Sequence, residues 1–307
     1  MTHEHPDDFD SPWKEALEQA LPEFLALFFP EAHAGIDWRR GYRFRDKELQ
    51  QVVRDAELGR RYADKLAEVY TLDGKETWVL VHIEIQGQAD PGFAERMYVY
   101  HYRLFDRYRR DVVSLAVLTD AQGAFRPNGY QRGRWGCSLR FRFPTVKLLD
   151  WRDRTAALEA DRNPFALVAL AQLQAMAHRG GPARKRVKLR LIRFLYARDY
   201  TREQILAWFR VLDWILRLPE DLDREFREEL VAFEEEAQMP YVTSVERIGI
   251  QKGRQQGEAA ILLRQIALKF GPPSEEVHAR IEAADADTLL DWSARILTAE
   301  RVDDIFR

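Results

Sequence analysis

The chain has 307 residues, with 46% apolar and 32% charged side chains, which suits one large or two modest soluble globular domains and excludes a disordered chain. Its net charge of −3 and pI near 6.2 exclude a tight architectural nucleic-acid binder but leave room for local basic patches, such as RYRRD (107–111) and RGGPARKRVKLR (179–190). The single cysteine, Cys137, excludes an intrachain disulfide and a cysteine-rich zinc site; with no apolar run of about 18–20 residues and no apolar core in the acidic start MTHEHPDDFDSPW, a cytoplasmic protein with no membrane partner is expected.

Trp13, Ala16, Leu17, Ala20, Leu21, Phe24 and Phe28 recur at helical spacing and predict a first helix from about Pro12 to Phe29, closed by Pro30. Two β-type runs follow, RYADKLAEVY (61–70) and TWVLVHIEIQ (77–86), joined by the turn signal Leu72-Asp73-Gly74-Lys75. FAERMYVYHYRLFDRYRR (93–110) predicts a helix and VVSLAVLTD (112–120) a buried strand, so the order helix, strand, strand, helix, strand points to an α/β fold. A less regular stretch with Pro127, Gly129, Gly133 and Gly136 precedes a further strand candidate, SLRFRFPTVKLL (138–149). From Asn163 the chain reads as helical, at 163–178, 182–198, 201–217, 221–238 and 243–270, with a last cluster over 274–306. Gly271-Pro272-Pro273 is the clearest linker and marks a boundary.

The hairpin carries the chemistry. A three-residue loop of Asp73, Gly74 and Lys75 sets Leu72 opposite Glu76 and Asp64 directly opposite Glu84, on one face of the sheet. A two-residue loop sends them to opposite faces. On the second strand, Val79, Val81, Ile83 and Ile85 make an apolar face, while His82, Glu84 and Gln86 share the other. A buried carboxylate costs several kcal/mol unless it is paired or binds a metal, and two carboxylates on adjacent strands suit Mg²⁺. Polar alternation is equally the ordinary signature of a solvated sheet face, so spacing alone leaves Asp64 and Glu84 open as surface residues.

Other residues carry less. His82 shares the Glu84 face, but a lone histidine is more often structural, and no histidine pair has zinc-ligand spacing. Gly249, Gly253 and Gly257 match neither a P-loop nor a dinucleotide fingerprint. The basic run at 184–193 reads either as a phosphate-binding stretch or as a solvated helix face with Val187, Leu191 and Phe194 inward.

Asp64, followed on the next strand by HIEIQ (82–86), resembles the PD-(D/E)xK nuclease superfamily, in its transposase-like branch that includes the recombination-promoting nucleases. FAERMYVYHYRLFD (93–106), NPFA (163–166) and MPYVTSVERIG (239–249) resemble the same branch. The tail ILLRQIALKFGPP…LLDWSARILTAERVDDIF (261–306) is similar to a small helical module appended to such proteins. The resemblance implies a restriction-endonuclease-like αβββαβ core over 10–150, a helical extension over 151–240 and a C-terminal helical module over 241–307.

It further implies a DNA endonuclease of recombination or defence. Asp64, Glu84 and the Ile85 carbonyl would hold Mg²⁺ or Mn²⁺, Gln86 would stand where the superfamily has lysine, and no small-molecule cofactor is needed. Glutamine orients and hydrogen-bonds but carries no charge. Arg96 is the candidate substitute cation, one helix face being shared by Arg96, Tyr100 and Arg103; the plain alternative is a solvated face with Tyr100 at its border. Glu48 and Glu18 are candidates for a third acid. DNA is the expected partner, and paired cuts would call for a homodimer. The competing reading is a catalytically weak nucleic-acid-binding or assembly protein that retains the fold. A transposase would need an acidic triad and an end-recognition domain, neither of which is evident.

Overall fold

A proline inside the first apolar-striped segment bends it. The computed structural model describes residues 10–55, 63–72, 74–84, 90–178, 181–239, 241–284, 286–296, 299 and 301–306. At 10–11, 52–55, 63–64, 78–84, 243–256, 282, 286–287 and 303 the backbone alone is described. Helix α1 (Asp10–Phe28) holds Pro22, which lacks the amide an inner turn needs, and Ala20 leaves helical geometry at φ −150° and ψ 52°. Pro30 does more than close this helix: it opens the next, α2 (Pro30–Gly35), where a missing amide costs nothing.

The elements then run β1 (Arg43–Phe44), α3 (Asp46–Asp55), β2 (Ala63–Tyr70), β3 (Glu76–Glu84), α4 (Phe93–Tyr108) and β4 (Asp111–Leu118). After these come β5 (Gly129–Arg134), β6 (Cys137–Arg142), β7 (Thr145–Lys147), α5 (Thr155–Ala160), α6 (Pro164–Ala177), α7 (Pro182–Tyr196) and α8 (Arg202–Ile215). The chain ends with α9 (Glu220–Glu236), α10 (Val242–Phe270), α11 (Glu275–Ala283) and α12 (Ala286–Arg295). The fold is α/β. One five-stranded mixed sheet has the order β1-β2-β3-β4-β7, and β5 and β6 form a separate two-stranded ribbon. β1, β2 and β3 are antiparallel neighbours; β4 joins β3 in parallel after α4, and β7 joins β4 in parallel.

The chain divides into two compact units, residues 1–228 and 229–307. In the first, α4 covers one face of the sheet. Phe93 and Met97 pack on Ala116, Leu118 and Phe143, while Tyr100 and Leu104 pack on Leu49 and Leu66. The opposite face of β2, where Lys65, Ala67 and Val69 alternate with Leu66 and Glu68, meets α1. Behind α1 lies α6, whose residues 164–173 are all buried, as befits a helix apolar on every side. Asn163 fixes α6 twice: its Oδ1 accepts from the Phe165 amide at 2.9 Å, and its Nδ2 donates to the Glu23 carbonyl at 2.7 Å. The helices of 151–228 thus share a unit with the strands.

In the second unit, Leu262 and Ile266 of α10 share a core with Ile281, Leu289 and Trp292. Gly271, at φ +90°, therefore turns the chain inside one unit and marks no boundary, contrary to the linker expected at 271–273. α10 runs as a helix through Gly249, Gly253 and Gly257.

Three cations of the basic run on α7, Lys185, Lys188 and Arg190, are held in ion pairs. Lys188, almost fully buried, lies 2.6 Å from Asp213 and 3.5 Å from Asp223; Lys185 pairs with Glu225 at 2.6 Å and Arg190 with Glu159 at 3.1 Å. Lys147 and Asp120 form a pair at 2.6 Å that is buried on both sides, with side chains 2% and 0% exposed. Asp120→Ala, which leaves the Lys147 ammonium without that carboxylate, is expected to cost about 3–5 kcal/mol. Asp120→Leu with Lys147→Met should recover most of it, as read from urea unfolding midpoints and slopes.

Candidate functional site

The hairpin turn decides the geometry. The Thr71 amide donates to the Lys75 carbonyl at 2.9 Å, and the Gly74 amide donates to the Thr71 carbonyl at 2.9 Å. The loop is therefore three residues, 72–74, with Gly74 last at φ +83°. A three-residue connection needs a left-handed residue in that last position, which glycine adopts without strain. The expected loop of 73–75 had put the glycine in the middle.

The register follows. Tyr70 stands opposite Glu76, and Asp64 opposite His82 rather than Glu84. The slip is two residues, so parity is kept: positions 64, 82 and 84 share a face, with 64 and 84 diagonal neighbours. Diagonal positions lie roughly 7–8 Å apart and stay within reach of long side chains. The side chains of Asp64, His82 and Glu84, and residues Ile85 and Gln86 altogether, lie outside the described residues.

The surroundings are described. Partnered residues in a ladder share a face, so Ala116 opposite His82 and Leu118 opposite Glu84 put these positions on the α4 side. They lie at the carboxyl end of β3, next to the carboxyl ends of the parallel strands β4 and β7. In open α/β sheets ligands bind at that edge. Lys147 belongs to the same cross-strand row, since Leu118 pairs with both Glu84 and Lys147. Spacing did not single out Lys147 or its partner Asp120, because a pair formed between residue 120 and a strand at 145–147 is a tertiary event.

Arg96 and Tyr100 face inward on α4, 7% and 1% exposed, while Arg103 is half-buried. This corrects the reading of these residues as a solvated helix face. The Arg96 guanidinium donates to Asp90 Oδ2 and lies 5.5 Å from the centre of the Phe93 ring. Asp90 also takes the Gly92 amide at 2.8 Å on Oδ1, so one carboxylate both starts the helix and holds the arginine.

The two candidates for a third acid are otherwise engaged. Glu18 accepts from Lys65 Nζ, on the α1 side of β2 and so across the sheet from positions 64 and 84. The same Lys65 ammonium lies 2.6 Å from Asp46. Glu48 lies 3.4 Å from Arg45, which also binds the buried Glu68 through its Nε at 2.7 Å. Among the described residues no group of three or more His, Cys, Asp or Glu side chains could hold a metal ion. The expected set of Asp64, Glu84 and the residue 85 carbonyl is chemically suited to one: all its donors are hard oxygens.

No family model, curated protein or solved structure matches the chain.

His101 ties α4 to the sheet. Its Nδ1 lies 3.3 Å from Ser114 Oγ, and its ring centre 4.7 Å from that of Phe141. Burial pushes its pKa below the ordinary histidine value, so the unfolded chain takes up the proton more readily. Its contribution to stability is full above that ordinary value, about 6.5, and is lost as pH falls below it toward the lower folded-state value. His101→Gln should flatten this part of the pH dependence, measured as the urea midpoint between mildly acidic and neutral pH.

Proposed function

We propose that the chain is a metal-dependent nuclease that hydrolyses DNA phosphodiester bonds at an Asp64–Glu84 site. The observation that carries this reading is the hairpin parity: an odd loop keeps positions 64 and 84 on one face, at the edge where β3, β4 and β7 end. The antiparallel order β1-β2-β3, followed by a helical crossover to a parallel β4, supports the αβββαβ core that the sequence resemblance implies.

Asp64, Glu84 and the Ile85 carbonyl would hold Mg²⁺ or Mn²⁺. Bound there, the ion supplies a Lewis acid for the phosphate and an acidified water. Gln86 orients that water by hydrogen bonding and cannot take its proton at neutral pH. Arg96 offers a fixed positive charge on the α4 side. Its bond to Asp90 holds the guanidinium in place and offsets part of its charge, so its stabilisation of a pentacovalent phosphate is weaker than that of an isolated cation.

The second reading, a DNA-binding or assembly protein of low catalytic power, draws on the same chemistry. Two buried cations on this side, Arg96 and Lys147, are both held by carboxylates, and Gln86 adds no charge.

Wild type incubated with supercoiled plasmid is expected to nick or linearise it with Mg²⁺ or Mn²⁺ and not with EDTA. Glu84→Ala and Asp64→Ala should each lower the rate on the order of 10²-fold or more. No cleavage by wild type with either metal decides for the second reading. Cleavage that survives in both variants removes the site.

A further inference from the structure

The β5–β6 ribbon carries charge that no carboxylate among the described residues neutralises. Residues 129–142, GYQRGRWGCSLRFR, contain four arginines and no carboxylate, within a chain whose net charge is −3. Arg132, Arg134, Arg140 and Arg142 are all exposed, and among the described residues none of them forms an ion pair with a carboxylate. The contrast is with Lys185, Lys188 and Arg190 of α7, which are bound to Asp213, Asp223, Glu225 and Glu159.

The ribbon is built to stand out. Its tip, Trp135 and Gly136, has φ +53° and +86°, the two left-handed residues of a tight hairpin turn. Trp135 is 95% exposed, with Arg134 5.3 Å from its ring centre. An indole this exposed forgoes a large apolar burial, and an exposed aromatic beside arginines is a surface suited to a partner with both phosphates and apolar edges, as the thymine methyl groups of a major groove provide. A Cβ at Gly129 would come 2.6 Å from the Phe141 carbonyl oxygen, and one at Gly133 would come 3.0 Å from that of Cys137. The glycines thus permit a close two-stranded ribbon rather than breaking it.

The base of the ribbon is anchored. Tyr130 stacks on Tyr98 at 5.4 Å, Tyr98 stacks on Tyr102 at 6.2 Å, and Tyr130 donates to Glu95 at 2.9 Å. The ribbon is therefore fixed to α4, the helix that covers the candidate site. Its register puts Arg132 and Arg134 with Tyr130 on one face, and Arg140 and Arg142 on the other.

We propose that this ribbon is a duplex-DNA grip, entering the major groove with arginines toward both phosphate walls and Trp135 leading. A two-stranded β-ribbon fits the major groove, about 12 Å wide, and cations on both faces suit a groove with two charged walls better than a single strand tracked from one side. The inference rests on the nuclease reading for the choice of DNA, and extends it by naming the surface that holds the substrate.

The test is binding of a short fluorescein-labelled duplex in EDTA, followed by anisotropy across a salt series. Arg132→Ala, Arg134→Ala, Arg140→Ala and Arg142→Ala combined should weaken duplex binding at least ~10-fold. The slope of log K against log salt should flatten by about 0.9 for each phosphate that the variant no longer neutralises. Trp135→Ala should weaken binding several-fold and Trp135→Phe less, with circular dichroism melting as the check that the exposed substitutions leave the fold intact. Unchanged duplex affinity in the fourfold variant overturns the proposal. So does a preference of wild type for a single strand of the same sequence, binding only to phosphatidylserine vesicles, or no DNA binding at all. The two readings separate cleanly: ribbon-dependent binding without metal-dependent cleavage sinks the nuclease alone, and cleavage lost in Glu84→Ala with ribbon-independent binding sinks the grip alone.

Discussion

Gly74 sets the pairing of the two central strands. Because the last position of a three-residue loop must be left-handed, and glycine takes φ +83° there without strain, β2 and β3 are locked into a register whose partner numbers differ by an even count. A loop one residue longer or shorter would turn every side chain of β3 over, exchanging the polar positions 82 and 84 for the apolar positions 81 and 83. The face that receives α4, and the proposed site on it, both follow from that turn.

α4 translates the register into a working surface. Its inward side mixes apolar anchors, Phe93, Met97, Tyr100 and Leu104, with one charged residue, Arg96, whose burial is made tolerable by Asp90. Its outer side carries Tyr98 and Tyr102, on which the β5–β6 ribbon is stacked. One helix thus touches both the sheet edge proposed for catalysis and the base of the ribbon proposed for DNA.

Much of the remaining charge is spent internally. Lys65 serves Glu18 and Asp46, Lys188 serves Asp213 and Asp223, and Lys147 serves Asp120. Lys65 and Lys188 are buried against partly exposed carboxylates, whereas Lys147 and Asp120 are both buried. A fully buried pair does little for net stability, but removing one partner is costly, which makes it a guardian of a specific arrangement. Counting lysines and arginines along the chain therefore overstates what is free for phosphate on α7, and the ribbon stands apart because none of its arginines pairs with a carboxylate among the described residues.

What the sequence by itself determined was the order of those elements that rest on local periodicity: apolar spacing places α1, β2, β3, α4, β4 and the helices beyond Asn163, and leaves α2, β1 and α3 unplaced. It left the hairpin parity open between a two- and a three-residue loop, and the backbone around Gly74 decided for the odd loop that puts positions 64 and 84 on one face. The exact partner of Asp64 was not legible, because placing the loop at 72–74 depends on which position the left-handed glycine fills. Nor was β5: Gly129 and Gly133 read as breakers until the close approach of the Phe141 and Cys137 carbonyls shows why a side chain there would not fit. Only the tertiary structure decided which charges are neutralised. Glu18 and Lys65 are 47 residues apart in sequence and Lys147 and Asp120 are 27 apart, so their partnerships exist only once distant elements pack together.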